Sequence, residues 1–417
     1  MVLQQGDANE FCPRGTTVEL MNRTTIPTAR IKSVLLSRQL RIGALASCVT
    51  IAATISSFPG ATADSRPPAK STWSIVKAVN NPRVVLFGVS CSSSTFCVSV
   101  GRAARGYSSA AIAVVRTSGR WSESLNQKVA NWATELSAVS CPSSRWCAAV
   151  GSVTSDFFPT PLIEMWNGSR WRGLSDPYDY TLQGGLRGVS CPSPSECVAV
   201  GSRFIRRWTA GVAILDGQRW SFRTAAELGN APNALDAVSC PSLHFCMAVG
   251  TQGTGRKSTT LAEEWDGAIW RVVPGPIISK TSTGARLLGV SCASSAFCMA
   301  AGVEDDSSAV SGIVERWNGR RWQLQSLGRG LHGASLQSIS CFRTRSCVAV
   351  GYSNVGHGDL TLVEEWFGKA WGDRRNPVPD RPQNGLLTVT CIGPIWCMAA
   401  GGAGESAHGR AVLILRH

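Results

Sequence analysis

The residues with the clearest chemical potential in this 417-residue chain are 16 cysteines, 14 of which stand in seven pairs of constant spacing. Each pair encloses five residues, and successive pairs follow at intervals of 49 to 52 residues. Paired thiols form either a disulfide or half of a zinc site, and zinc favours closer pairs with a second ligand pair nearby. None of the five histidines recurs with the cysteines, so we predict disulfides and no metal site. The predicted bonds are Cys91–Cys97, Cys141–Cys147, Cys191–Cys197, Cys240–Cys246, Cys292–Cys298, Cys341–Cys347 and Cys391–Cys397.

Recurring acidic residues are the next candidates for chemistry. Glycosidases use one asymmetric pair of carboxylates at a set separation, whereas a repeated glutamate favours pairing with arginine or backbone donors between strands. We therefore interpret as structural the four glutamates that stand two residues before a tryptophan, which are Glu164, Glu263, Glu315 and Glu364. The run 304–306 offers oxygen ligands for calcium but lacks the spacing of a recognised calcium loop, so a solvated loop is favoured. The sequence has no nucleophile elbow, phosphate loop or dinucleotide fingerprint, so catalytic residues are unknown and no cofactor is predicted.

Arginine and tryptophan supply the candidates for binding. Trp208 stands outside the repeated positions, beside Arg203, Arg206 and Arg207, and is the aromatic residue that we most associate with a ligand. The chain has 41 basic and 27 acidic residues, and without residues 1–63 the balance is 35 minus 24, or +11. Such a surface attracts anions. The expected partners are a cell-envelope glycan, an anionic polymer or a protein; nucleic acid fits an exported protein poorly, and the alternative is a solubility charge without a fixed partner.

The elements that carry these residues are short β-strands. In the third copy, Val198 and Val200 alternate with cysteine and alanine, which is the period of two that a strand requires. Asn-Gly or Asp-Gly precedes the last strand of several copies, for example at Asp266, and is a strong hairpin signal. Each copy divides into four such strands, and we find no helical pattern of useful length.

Seven repeats of four antiparallel strands predict an all-β, seven-bladed propeller, with a solenoid as the alternative. The seventh copy lacks a fourth strand, but a matching strand around Trp73 precedes the first copy. We expect this N-terminal strand to complete the last blade and close the ring, which hides the open edges. The fourth-strand tryptophans recur once per blade, which favours packing between blades over a lectin-like ring. They are Trp73, Trp121, Trp171, Trp220, Trp270, Trp322 and Trp371.

Disulfides persist in oxidising compartments, so the cysteines indicate export. Residues 30–63 are typical of a secretory signal, with a basic lead, an apolar run and the small residues 61–63 before a cleavage after Ala63. Cleavage there would remove Cys12 and Cys48, the two cysteines outside the pairs. The alternative is a lipoprotein anchored at Cys48. The apolar run is too short and too weakly apolar for a membrane span, so we expect none in the mature chain.

We thus expect an N-terminal extension and signal peptide over 1–63, a linker over 64–70 and a propeller over 71–417, secreted or envelope-associated and monomeric. In a propeller, the loops between strands two and three share one face with the loops between blades. These loops vary in this chain, and variable loops on a rigid scaffold are the usual layout of a binding site. The residues predicted for that face are Arg203, Arg206, Arg207, Trp208, Asp305, Asp306, His357 and Asp359.

The repeat units resemble those of secreted actinobacterial repeat proteins with V-S-C-P-S, C-x-A-V-G and E-x-W-N-G-x-x-W motifs, over nearly all of residues 71–417. More distantly they resemble kelch and sialidase-like propellers, although the kelch glycine pair and the full sialidase Asp-box are missing. The resemblance implies a propeller and export and brings no catalytic residues. We therefore favour an exported binding or scaffold propeller. The alternative is a secreted hydrolase or lyase acting on polysaccharide at the mouth of the central channel.

Overall fold

The computed structural model describes residues 72–76, 83–106, 108–127, 132–155, 158–174, 183–217, 219–226, 228–278, 282–306, 309–327, 331–354, 359–373, 384–403 and 411–416. All of them belong to one compact unit, Arg66–His417. The expected extension, signal peptide and linker fall outside the described residues.

The described residues form 28 strands in seven antiparallel sheets of four, as predicted. The first three blades contain β2 (Val84–Ser93), β3 (Phe96–Arg105), β4 (Ser108–Thr117), β5 (Arg120–Gln127), β6 (Ala133–Ser143), β7 (Trp146–Thr154), β8 (Pro159–Trp166), β9 (Trp171–Gly173), β10 (Gly184–Ser193), β11 (Glu196–Phe204), β12 (Trp208–Asp216) and β13 (Arg219–Thr224). The next three contain β14 (Asn233–Ser242), β15 (Phe245–Gln252), β16 (Thr259–Trp265), β17 (Trp270–Val272), β18 (Ser282–Ser294), β19 (Phe297–Asp306), β20 (Val310–Trp317), β21 (Trp322–Leu324), β22 (Ala334–Arg343), β23 (Ser346–Asn354), β24 (Asp359–Trp366) and β25 (Trp371–Asp373). The one helical element among these residues is a short 3-10 turn, Gly255–Lys257.

The seventh blade joins the two ends of the chain. It consists of β26 (Asn384–Cys391), β27 (Cys397–Ala403), β28 (Ala411–Arg416) and β1 (Trp73–Ile75). β1 pairs antiparallel with β28, with Trp73 opposite Arg416. The N-terminal strand therefore closes the ring, and the solenoid alternative is wrong.

The second strand of a blade is buried on both faces, because another blade lies on each side. In the third blade, Cys197 packs in a cluster with Ile163 of the second blade. Val198 faces the other way and packs with Leu235 of the fourth blade. Because valine alternates with cysteine and alanine along this strand, each face of the strand packs against a different neighbouring blade. The core therefore runs continuously from blade to blade.

The seven predicted cysteine pairs are bonded, with Cα–Cα separations of 3.9 to 4.2 Å. Each bond joins the first two strands of a blade, as where Cys91 stands directly opposite Cys97 in register. A tight turn follows at Ser94 and Thr95. The disulfides therefore clamp the hairpins at the face opposite the variable loops.

The serine of the V-S-C motif joins six of the seven blades to the blade that follows. Ser190 Oγ accepts a hydrogen bond from the backbone N–H of Cys240, in the following blade, at 3.0 Å. The same contact recurs at 2.9 to 3.0 Å between Ser90 and Cys141, Ser140 and Cys191, Ser239 and Cys292, Ser291 and Cys341, and Ser340 and Cys391. These bonds satisfy backbone donors beside the core and fix the first strands around the channel.

The E-x-W-N-G-x-x-W motif builds the turn between strands three and four. Gly168 has a φ of 95°, and Asn167 Oδ1 accepts hydrogen bonds from the backbone N–H groups of Ser169 and Arg170. The indole of Trp166 donates to the carbonyl of Ser144, in the cysteine hairpin of the same blade, at 3.2 Å. Three other blades repeat this contact at 3.0 to 3.1 Å, between Trp265 and Leu243, Trp317 and Ser295, and Trp366 and Thr344.

The fourth-strand tryptophans lie between blades. Trp171 packs with Phe96 and Val98 of the first blade, and its indole donates to Ser124 Oγ at 3.0 Å. The others occupy or border equivalent clusters, and they are Trp73, Trp121, Trp220, Trp270, Trp322 and Trp371. Their indole faces are therefore used in packing, which does not fit a lectin-like ring.

Candidate channel-mouth binding site

Each first strand carries a one-residue bulge that turns one side chain toward the centre of the ring. In β10, Leu186 pairs with Gly201 and Gly188 with Val200, so that Arg187 has no partner in register. A Cβ at Gly201 would lie only 2.0 Å from the carbonyl oxygen of Gly185. The glycine of the A-V-G motif thus allows the first strand to approach closely where it bulges.

The seven bulge residues line one central cavity of about 830 Å³. Each stands four positions before the first cysteine of its blade, and they are Phe87, Ser137, Arg187, Asp236, Leu288, Gln337 and Leu387. We call this set the bulge ring. Pro159 and Trp208, at the starts of two third strands, line the same cavity, which therefore reaches the predicted variable-loop face.

Two ion pairs lie at the bulge ring. Arg187 Nη1 is 2.5 Å from Asp236 Oδ1, with 55% of the arginine side chain exposed and 11% of the aspartate side chain. Arg102 Nη1 is 3.3 Å from Glu135 Oε2, and the Arg102 guanidinium stands 5.5 Å from the centre of the Phe87 ring. Each carboxylate thus orients an arginine whose side chain is still half exposed.

Three aromatic side chains form a rim between the loops of the second and third blades. Phe158 stacks on Phe204 with ring centres 5.6 Å apart, and Phe204 meets the edge of Trp208 at 5.5 Å. Trp208 keeps 36% of its surface exposed and lines the central cavity. It is thus positioned by an aromatic neighbour and still accessible to a ligand.

The arginines predicted beside Trp208 do not line the central cavity. Arg207 donates to the carbonyl of Gly229 and thus holds the loop that leads into the fourth blade. Arg206 is exposed and borders a second cavity of about 200 Å³, and Arg203 borders a separate small pocket with Pro161. Of these four residues Trp208 lines the central cavity, whereas Arg206 and Arg207 border the second cavity together.

The predicted acidic residues lie on other blades. Asp306 Oδ1 accepts a hydrogen bond from the Ala309 N–H at 2.7 Å and thus caps its own hairpin. Asp305 is exposed one residue earlier, and Asp359 begins β24. His357 lies outside the described residues. Among the described side chains, no three of His, Cys, Asp or Glu gather as a metal site.

The repeated glutamates are buried away from the cavity. Glu263 Oε2 accepts a hydrogen bond from the Ala226 N–H of the preceding blade at 2.9 Å. Burial raises the pKa of Glu263 to about 7, and that hydrogen bond opposes the rise. Burial likewise raises the pKa of Glu315 to about 7, opposed by the Thr260 hydroxyl of the preceding blade. The hydrogen bond of Glu263 to the preceding blade agrees with the structural interpretation, in which such glutamates join blades.

The cavity has two carboxylates, Glu135 and Asp236, and each is paired with an arginine. Its lining includes neither tyrosine nor histidine among the described residues. No described helix is long and apolar enough to cross a bilayer. The arrangement combines an anchored arginine, apolar side chains and an exposed indole, which is suited to holding a ligand.

The bulge ring was missed by motif analysis, because its members share a position and not a residue type. Leu186 and its equivalents one residue earlier are leucine in all seven copies, whereas position 187 and its equivalents hold six residue types. An alignment of the seven copies would have exposed this variable column within a constant strand.

The fold and its central cavity define a seven-bladed β-propeller with a channel-mouth site. Among solved structures, YCF48 from Cyanidioschyzon merolae is similar with a TM-score of 0.52 and 14% identity, over 83% of this chain and 98% of that chain. YCF48 bound to D1 peptide gives 0.50 and 13%, over 82% and 96%. A GH74 xyloglucanase from Xanthomonas campestris gives 0.52 and 10%, over 82% of this chain and 55% of that chain. These likenesses establish the fold alone.

No protein-family model matches the sequence, and no curated protein matches it.

Proposed function

We propose that this protein is an exported binding propeller whose ligand is a component of the cell envelope, either a glycan, an anionic polymer or a protein. The ligand would enter at the variable-loop face and reach the bulge ring. The observation that supports this proposal most directly is the cavity of about 830 Å³, which extends from Trp208 at its rim to the ion-paired Arg187 inside it. Its size lies within the range of small-ligand sites.

Export is supported by the disulfides and by the signal-like segment 30–63. Seven bonded pairs in one chain are typical of an oxidising compartment. Cleavage after Ala63 would leave every remaining cysteine paired. Mass spectrometry of the protein from the culture medium tests this directly, and a lipidated Cys48 would instead support the anchored form.

Binding is favoured over hydrolysis because both carboxylates that line the cavity are in ion pairs. A glycoside hydrolase requires two carboxyl groups, one of them able to donate a proton. Each of the two carboxylates that line the cavity, Glu135 and Asp236, is instead engaged by an arginine in an ion pair. The fold itself serves either function, since its neighbours include a peptide-bound protein and a xyloglucanase.

The test is co-sedimentation of the oxidised, secreted protein with insoluble envelope material at low and high salt. We expect capture by wild type and a loss of about thirtyfold in affinity in Trp208→Ala, since an aromatic anchor that a ligand buries contributes about 2 kcal/mol or more. Phe367→Ala is the matched control, because Phe367 is 46% exposed in a turn on the opposite face. Capture that salt abolishes points to an anionic polymer, and capture that survives salt points to a sugar or a protein. Absence of capture at both salts, or equal capture by both variants, contradicts the proposal.

A further inference from the structure

The bulge ring divides into two sectors. In blade order, Ser137, Arg187 and Asp236 make a polar sector over blades two to four. The remaining four blades contribute three large apolar side chains and one amide, namely Leu288, Gln337, Leu387 and Phe87. One side of the cavity is therefore polar and the other side is mainly apolar.

This asymmetry is not required by the packing of the blades. The neighbouring leucine of each copy, such as Leu186, is buried, and packing keeps it constant. The bulge position faces the cavity and varies, although the strand around it repeats. A position that faces a cavity and differs between the repeats is expected where its side chains contact a ligand.

Within the bulge ring, the more exposed charge of the polar sector is the Arg187 guanidinium, and Glu135 beside the ring is paired with Arg102. The Asp236 side chain is only 11% exposed, whereas its partner Arg187 is 55% exposed. The aspartate thus anchors the guanidinium, which has further N–H donors to offer to the cavity. A carboxylate accepts such donors well, through charge-assisted hydrogen bonds.

The apolar sector favours a ligand that carries an apolar group beside its carboxylate. Leu288, Leu387 and Phe87 are half-buried in the protein alone, so they have apolar surface left to cover. Aliphatic side chains cannot satisfy sugar hydroxyls, and an unpaired hydroxyl is costly to bury. A large apolar side chain loses nothing there and gains from leaving water.

On this basis, and resting on the proposed binding function, we propose that the bulge ring holds a peptide segment in which a carboxylate stands beside a large apolar side chain. The carboxylate pairs with Arg187, and the apolar side chain lies against Leu288 and Leu387. The ligand class of the site is therefore an acidic, apolar peptide of an envelope protein.

Fluorescence polarisation of the oxidised protein tests this with three labelled, capped pentapeptides. The probe is glycine-leucine-glutamate-leucine-glycine; one control replaces glutamate by glutamine, and the other replaces both leucines by serine. We expect wild type to bind the probe about tenfold more tightly than either control, the effect of one charge-assisted hydrogen bond or one buried leucine.

The variants separate the two sectors. Arg187→Gln combined with Asp236→Asn removes both charges without leaving an unpaired carboxylate, and should erase the preference for glutamate over glutamine. Leu288→Ser combined with Leu387→Ser should erase the preference for leucine over serine only. Arg320→Gln, an exposed arginine in a turn on the opposite face, should change neither preference.

Equal binding of the three peptides by wild type, or an unchanged glutamate preference in the charge-free variant, overturns the peptide assignment. If wild type still captures envelope material in a Trp208-dependent manner but ignores the peptides, the binding function stands and the ligand is of another class. If no envelope material is captured but the peptides are discriminated, the ring assignment stands and the envelope as source is wrong.

Discussion

Arg416 Nη2 lies 3.0 Å from Glu365 Oε2, and the two side chains are only 8% and 2% exposed. Arg416 belongs to β28 in the closing blade, opposite Trp73 of β1, and Glu365 belongs to β24 in the sixth blade. This buried ion pair therefore ties the blade that joins the two ends of the chain to its neighbour. Desolvating both charges is costly, so the contribution of the pair depends on its remaining complete.

Removing one partner is therefore expected to destabilise the ring strongly. Arg416→Met removes the cation that pairs with the buried Glu365, and we expect the free energy of unfolding to fall by about 3 kcal/mol in urea denaturation. The double variant Arg416→Met, Glu365→Leu removes both charges and should recover most of that loss. A single variant as stable as the exposed-site control Arg320→Gln would show that the pair does not hold the closure.

The buried glutamates Glu263 and Glu315 predict a pH dependence of stability. Burial raises the pKa of each to about 7 from the ordinary glutamate value of 4.5, so the folded state binds their protons more tightly than the unfolded chain. The stabilisation is complete below about pH 4.5 and is lost as pH rises through 7. The shift corresponds to a loss of about 3 kcal/mol per residue.

Urea denaturation at pH 5, 6, 7 and 8 measures this loss. Glu263→Gln and Glu315→Gln keep a neutral side chain at all pH values and should each flatten the decline. Glu123→Gln, at an exposed position of β5, is the control and should leave the slope unchanged. A decline that is equally steep in all four proteins would assign it to other groups.

The fold could be predicted from the sequence because each repeated residue serves one blade interface in the same way. Paired cysteines, Asn-Gly turns and the alternation around Val198 define strands locally, and the strand around Trp73 completes the count. The serine of V-S-C is equally regular, but its role as an acceptor for the next blade, as in Ser190 with Cys240, required the ring geometry.

The site could be predicted only in part. Trp208 was predicted as a ligand contact because it breaks the repeat, and the structure places it at the start of β12, where it lines the central cavity. Arg187 and Asp236 were missed because they are 49 residues apart in sequence and meet only when adjacent blades bring their bulges together. Arg203 was included by its sequence neighbourhood, although alternate residues of a strand point to opposite sides.

The disulfides are expected to stabilise each hairpin separately. Cys191→Ala with Cys197→Ala opens a short loop, for which the entropy of closure predicts a loss of about 2 kcal/mol. Thermal denaturation should show a lower Tm with a ring that still folds, because six other bonds remain. The control is Ser195→Ala in the same turn, which keeps the bond. A pair of variants with equal Tm would contradict a stabilising role for this bond.

The glycine after the second strand controls the direction of the bulge residue. A Cβ added by Gly201→Ala would lie 2.0 Å from the Gly185 carbonyl oxygen, so the first strand must move away and Arg187 must move with it. We expect a loss of about 2 kcal/mol in the free energy of unfolding, as for other overpacked sites, together with weaker ligand capture at the channel mouth. Gly393→Ala is the matched control, because its added Cβ meets no atom within 4 Å. Urea denaturation and co-sedimentation of both variants measure the two effects, and wild-type behaviour of Gly201→Ala in both would show that the bulge does not depend on this glycine.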